Sequence, residues 1–253
     1  VKELDEESRE ETRIIETSTV KLDSPLTIFG FAGPGLVGGI AVMHIIDSLK
    51  MEEVAHIRSK RIPPAVVFLN GQLRYPFRIY GNKAGNICCV VSELPFASDG
   101  LYPLASTLLD WAEKYSVKES VVLEGIPLRG LPKERQVFCA AEKEKRVDCE
   151  KSGLEIVKNG MIGGIAGSIL NQSLARRITG VAFLTPTISF MPDPEGAAVL
   201  IKALNKVYNL DIDTSILVES ADKIKKQLKE IAQRRQKMTK SEEKTGIAQR
   251  YYT

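Results

Sequence analysis

The sequence predicts an α/β protein built on a mixed, largely parallel sheet, and three observations lead there. Short apolar runs that read as buried strands alternate with segments of helical periodicity. The first such run passes straight into a glycine-rich turn, Gly33-Pro34-Gly35-Leu36-Val37-Gly38-Gly39, and then into an apolar helix. Asn70-Gly71 separates two strand-like runs and is a hairpin signal, so some of the pairing is antiparallel.

The elements run in order along the chain. Residues 26–31 are apolar almost throughout, as suits a strand buried on both faces. The helix after the glycine turn covers 40–49, and a strand follows at 54–59. Pro63-Pro64 interrupts before a strand at 65–69; beyond Asn70-Gly71 comes a strand at 73–80. A turn at 81–86 leads to a buried strand at 87–93, whose adjacent Cys88 and Cys89 must point to opposite faces. Residues 103–115 form a helix with Leu104, Leu108, Trp111 and Ala112 on one face. Strands at 120–123 and 136–141, a glycine turn and helix at 160–174, and a strand at 181–185 come next. The last body helix covers 194–208, with Asp193 as its N-cap.

Gly35-Leu36-Val37-Gly38-Gly39-Ile40-Ala41 is echoed by Gly160-Met161-Ile162-Gly163-Gly164-Ile165-Ala166. Glycines repeated at a helix start predict that both first turns lie close against the sheet or another backbone. The chain thus divides into an acidic N-terminal segment (1–24), an α/β body (25–215), a basic amphipathic helix (216–238) and a flexible polar tail (239–253). Leu217, Ala221, Ile224, Leu228 and Ile231 form a narrow apolar stripe on that helix, suited to packing on the body or on a second copy. As a coil, the residues after Arg234 reach on the order of 25 Å.

Composition removes several function classes. At 43% hydrophobic and 26% charged residues the chain reads as a soluble globular protein, with no apolar run long enough for a bilayer. Its start is acidic and polar, unlike a secretory signal. A net charge of +3 is too small to argue for nucleic acid. The 4 cysteines lack metal-site spacing and have no paired histidines, so no metal site is expected and the thiols are read as free, in the cytoplasm.

Gly33, Gly35 and Gly38 fit the dinucleotide pattern G-x-G-x-x-G between strand and helix. Pro34, however, removes a backbone donor, and Ile57-Arg58-Ser59 stands where a ribose-binding carboxylate belongs. Close helix–strand packing is the expected role, with no cofactor; an NADP site using Arg58 is the alternative. No G-x-S-x-G elbow is present. Glu93, Glu124 and Glu219 end apolar runs and read first as helix-start or turn carboxylates, with the lining of a ligand crevice as the alternative. Val218-Glu219-Ser220-Ala221 is similar to a segment of purine nucleoside phosphorylases, which keeps a nucleoside-processing enzyme as the competing class.

The chain ends Tyr251-Tyr252-Thr253. A hydrophobic residue, then Tyr, then any residue bearing the free carboxylate is the terminal pattern of proteins that dock on the proteasome core particle. Residues 29–38, Ile62-Pro63-Pro64-Ala65-Val66-Val67, Glu124-Gly125-Ile126-Pro127, Gly160-Met161-Ile162-Gly163-Gly164 and the run from Met191 to Ala198 resemble, in order, the proteasome assembly chaperone 2 family. The resemblance covers about residues 25–211. It implies a three-layer α/β body similar to nucleoside phosphorylases, carrying no enzyme activity and no cofactor. It also implies an assembly chaperone or ATP-independent activator that binds the proteasome α ring. Tyr251 would be the hydrophobic position, Tyr252 the key aromatic and Thr253 the carboxylate donor. Self-association is expected, and a related chaperone subunit is a further partner the resemblance leaves open.

Overall fold

The computed structural model describes residues 12–17, 21–69, 71–130, 135–224 and 226. Among these residues there are eleven strands: β1 (Thr12–Glu16), β2 (Leu26–Phe31), β3 (Glu52–Ser59), β4 (Val67–Leu69), β5 (Gln72–Arg74), β6 (Phe77–Gly81), β7 (Ile87–Ser92), β8 (Glu119–Leu128), β9 (Phe138–Ala141), β10 (Glu155–Ile156) and β11 (Thr179–Ile188). The helices are α1 (Val37–Ser48), α2 (Leu101–Lys114), α3 (Lys143–Lys151), α4 (Gly164–Arg176) and α5 (Pro194–Tyr208), and residues 215–224 are helical.

Nine strands form one sheet in the order β1-β3-β6-β7-β2-β8-β11-β9-β10, and β4 and β5 form a separate hairpin. The centre, β7-β2-β8-β11, is parallel throughout. Antiparallel pairs flank it: β1, β3, β6 and β7 on one side, and β11 with β9 on the other. Every residue of β7 is buried, as central strands covered on both faces must be.

Alternation assigns side chains to two cores. Ile28, Cys89, Val91, Val121 and Leu123 face α1 and α5; Phe29, Phe31, Cys88, Val90 and Val122 face α2 and α4. Cys88 and Cys89 therefore do point to opposite faces. The result is a helix–sheet–helix sandwich.

Several elements differ from the sequence expectation. The run at 73–80 is two strands, because Tyr75-Pro76 breaks it and β5 stays in the hairpin with Gly71 at φ +75°. The sheet begins within the acidic segment, where β1 pairs with β3. It is fastened to α2 by Glu16, whose carboxylate accepts from Trp111 Nε1 (3.0 Å), Lys114 Nζ (2.7 Å) and the Tyr115 hydroxyl (2.8 Å). Those donors, Lys114 foremost, hold Glu16 below the usual carboxylate range. The helix α3 (KEKRVDCEK) lacks an apolar stripe and buries only Cys149. No helix among the described residues is long and apolar enough to cross a membrane.

Candidate functional site

The carboxyl ends of β2, β8 and β11 meet the entries to α1, α4 and α5, and the notable polar geometry gathers there. After β2 the chain turns through Gly33, Pro34 and Gly35 (φ +63°), with Leu36 also left-handed at φ +52°. The three glycines of the G-x-G-x-x-G pattern are each filled by protein. A Cβ on Gly33 would stand 2.9 Å from Glu124 Cδ, one on Gly35 3.0 Å from Thr187 Cγ2, and one on Gly38 3.2 Å from the Leu123 carbonyl carbon. The turn is a packing device that brings α1 against β8, with the glycine spaces taken up by Glu124, Thr187 and Leu123. Arg58 lies on β3, three strands from β2 in the sheet order, and so does not stand beside this turn.

The echoed segment behaves differently. Gly163 and Gly164 start α4, as expected, but a Cβ at either would meet nothing within 4 Å. The expectation of a close approach is corrected for these two glycines alone: they face open space, while Ile165 and Ala166 of the same turn are buried against the sheet.

That space is a cleft of about 530 Å³ bounded by the turn at 32–34, the segment 95–101, β8 from Glu124 to Pro127, and residues 161–165. Glu124 is its sole titratable lining residue among those described. Its Oε1 accepts from Gly125 N at 3.0 Å. Burial pushes its carboxyl up to about 7, with the Gly125 amide opposing.

Behind Gly35 sits a polar cluster that fixes the turn to α5. Asp193 caps α5, its Oδ1 accepting from Gly196 N (2.9 Å), as the sequence predicts. Asp193 Oδ2 accepts from the Thr187 hydroxyl (2.7 Å) and from Arg135 Nη1 (2.6 Å). Arg135 Nε also donates to Glu195 Oε2 at 3.2 Å, and the Asp193 amide donates to Gly35 O at 2.9 Å. Arg135 and Thr187 were not singled out by the sequence, since nothing in a lone Arg or Thr reports which side chain it will meet. Arg78 was missed likewise: it is fully buried in β6, paired with Glu93 and donating to the Tyr80 hydroxyl at 2.8 Å.

Among the described residues no cluster of His, Cys, Asp and Glu is placed to hold a metal ion. The four cysteines are free and buried, and Cys139 and Cys149 stand with sulfurs 2.8 Å apart between β9 and α3. Glu219 is exposed on the 215–224 helix rather than at a strand end, so it does not face the crevice. Leu217 (7% exposed) and Ala221 (5%) on that helix are buried on the body, and Ile224 is half-buried. Leu228, Ile231 and the terminal Tyr251, Tyr252 and Thr253 lie outside the described residues.

Known proteins share this architecture. The model of the PAC2 family matches residues 27–232. A Thermoplasma acidophilum protein of unknown function is 38% identical, with 88% of this chain and 92% of that chain covered and a TM-score of 0.74. Pyrococcus furiosus PbaA, described as an archaeal homologue of proteasome-assembly chaperone, is 23% identical with a TM-score of 0.83 over 93% of this chain and 97% of its own. PbaB from the same organism, described as an archaeal proteasome activator, is 23% identical with a TM-score of 0.78 over 88% and 99%.

Proposed function

The chain belongs to the PAC2 family, and from that premise we propose that it is a non-catalytic partner of the proteasome core particle. It acts as an assembly chaperone or ATP-independent activator and docks on the α ring through Tyr251-Tyr252-Thr253. The observation that carries this reading is that terminal tripeptide, borne on a body whose fold is that of PbaA and PbaB.

The recognition is ordinary physical chemistry. The Thr253 carboxylate pairs with a lysine in a pocket between neighbouring α subunits, and Tyr252 buries its ring while its hydroxyl finds a partner. One such tail binds weakly, and several tails on one oligomer raise the effective concentration. The chain is accordingly a homo-oligomer held partly by its C-terminal helix. Leu217 and Ala221 are taken up by the body, so within the described part of the helix Ile216 (65% exposed) and Val218 (38%) are left for a second copy. A strict monomer by light scattering would count heavily against this part.

The test is binding to purified archaeal core particle, with peptide hydrolysis read in parallel. Intact chain, Tyr252→Ala and a chain lacking Tyr251 to Thr253 are compared. Binding lost in both variants supports the tail as anchor, and a faster hydrolysis rate with intact chain supports activation. Equal binding by all three moves the contact to the body, and no binding by any refutes the proposal.

A further inference from the structure

We propose that the cleft between the β2 turn and the start of α4 is a binding site for a small molecule with an apolar body and one protonated amine, the amine pairing with Glu124. Five observations lead there, and none rests on proteasome docking.

The cleft lies at the carboxyl end of β2 and along the carboxyl-terminal half of β8, with Leu184 of β11 in its wall, close to where open α/β sheets hold ligands. Its volume of about 530 Å³ suits a small molecule. Its walls are more apolar than polar: Phe96 is seated on Phe31 (centroids 5.8 Å apart) and Phe77 (5.4 Å), and Leu101, Ile126 and Ile162 also line the cleft. Gly163 provides the opening. Its φ is an ordinary −105°, and no atom lies within 4 Å of where a Cβ would stand, so neither strain nor packing forbids a side chain there. A larger residue would instead occupy the cleft.

The ligand's charge follows from Glu124. Among the described residues no cation pairs with its carboxylate, and a backbone amide is its one hydrogen-bond donor. Other charged groups nearby are engaged elsewhere: Asp99 pairs with Arg61, and beyond Gly125 both Asp193 and Glu195 are held by Arg135. The β2 turn, the α4 entry and Leu184 of β11 contribute no titratable group to the cleft. A half-buried carboxylate without a counter-ion is the partner a ligand ammonium requires.

Calorimetric titration of the full chain with 2-phenylethylamine, with 2-phenylethanol as the neutral control, tests this. The amine binds only the ionised carboxylate. With the carboxyl titrating at about 7, its affinity rises about tenfold between pH 6 and pH 8, whereas the alcohol's does not. Glu124→Gln weakens the amine at least about tenfold at pH 8 and flattens its pH profile. Gly163→Leu blocks both probes while Glu124 remains, and unchanged melting of that variant shows it is folded. The proposal is overturned by no saturable amine binding at pH 8, by amine and alcohol binding alike, or by binding that survives both substitutions.

Discussion

Replacing Asp193 by alanine removes three separate interactions from one place, so its cost can be built from parts. The α5 cap to Gly196 N is worth about 1 kcal/mol. The Thr187 hydroxyl loses its acceptor, worth about 1 kcal/mol more. Arg135 keeps Glu195 but loses its shorter partner in surroundings that leave the two side chains 15% and 10% exposed. A truncated buried pair costs about 3 kcal/mol or more, and the remaining Glu195 contact lowers that. These terms share partners and are not additive, so the expected loss is about 3–4 kcal/mol, a large part of a typical domain's stability. Urea unfolding reads it directly. With a slope of about 2 kcal/mol per molar, the midpoint falls by roughly 1.5–2 M. Asp193→Asn has a single oxygen, which keeps the cap to Gly196 N, while its amide nitrogen faces Thr187 and Arg135 and the charge is gone, so it should cost about 1 kcal/mol less than alanine. A loss under about 1 kcal/mol for the alanine variant would refute the account. Equal losses for both variants would show that the cap contributes nothing.

Gly38→Ala should destabilise by roughly 2–3 kcal/mol, because the new Cβ would press on the backbone carbonyl of Leu123, with Gly30 Cα already in contact at 3.4 Å on another side. Its echo partner Gly163 has open space there, so Gly163→Ala should change stability by less than about 0.5 kcal/mol; thermal melts showing equal effects would sink the contrast. Glu124 adds a pH signature. Its folded value, about 7, lies above the ordinary 4.5, so the fold favours the protonated form. That stability is full below pH 4.5 and is lost as pH rises through 7, by at most about 3 kcal/mol. Glu124→Gln should therefore gain on the wild type between pH 5 and pH 8, and unfolding curves that shift in parallel would contradict this.

Strongly patterned elements were readable and weakly patterned ones were not. β2 and α5 fall where the sequence places them, since one is a continuous apolar run and the other is opened by Asp193-Pro194 and periodic to Tyr208. The helix α3 and strand β1 were invisible because their residues are mostly charged or half-exposed, leaving neither period to detect. β8 extends five residues past the apolar run that ends at Leu123, since residues 124–128 continue the pairing with β11, and the first four of them also line the cleft. The glycine motifs could be located but not told apart: closely similar spelling serves tight packing at Gly38 and an open edge at Gly163, and only the position of the surrounding backbone distinguishes them. The meeting of Cys139 with Cys149 was equally hidden, because it depends on how α3 returns to β9.

The two margins of the nine-stranded sheet also constrain how copies can join. Among the described residues one margin is β10, two residues long, and the other is β1, five residues with Arg13 and Glu16 on it. A short or charged border gives a foreign strand few main-chain groups to pair with and discourages runaway stacking. Growth of the nine-stranded sheet by strand addition is thus disfavoured at both ends. A ring or cage of these chains would be closed instead by helices, loops or the separate β4–β5 hairpin, whose geometry can fix a definite number of subunits.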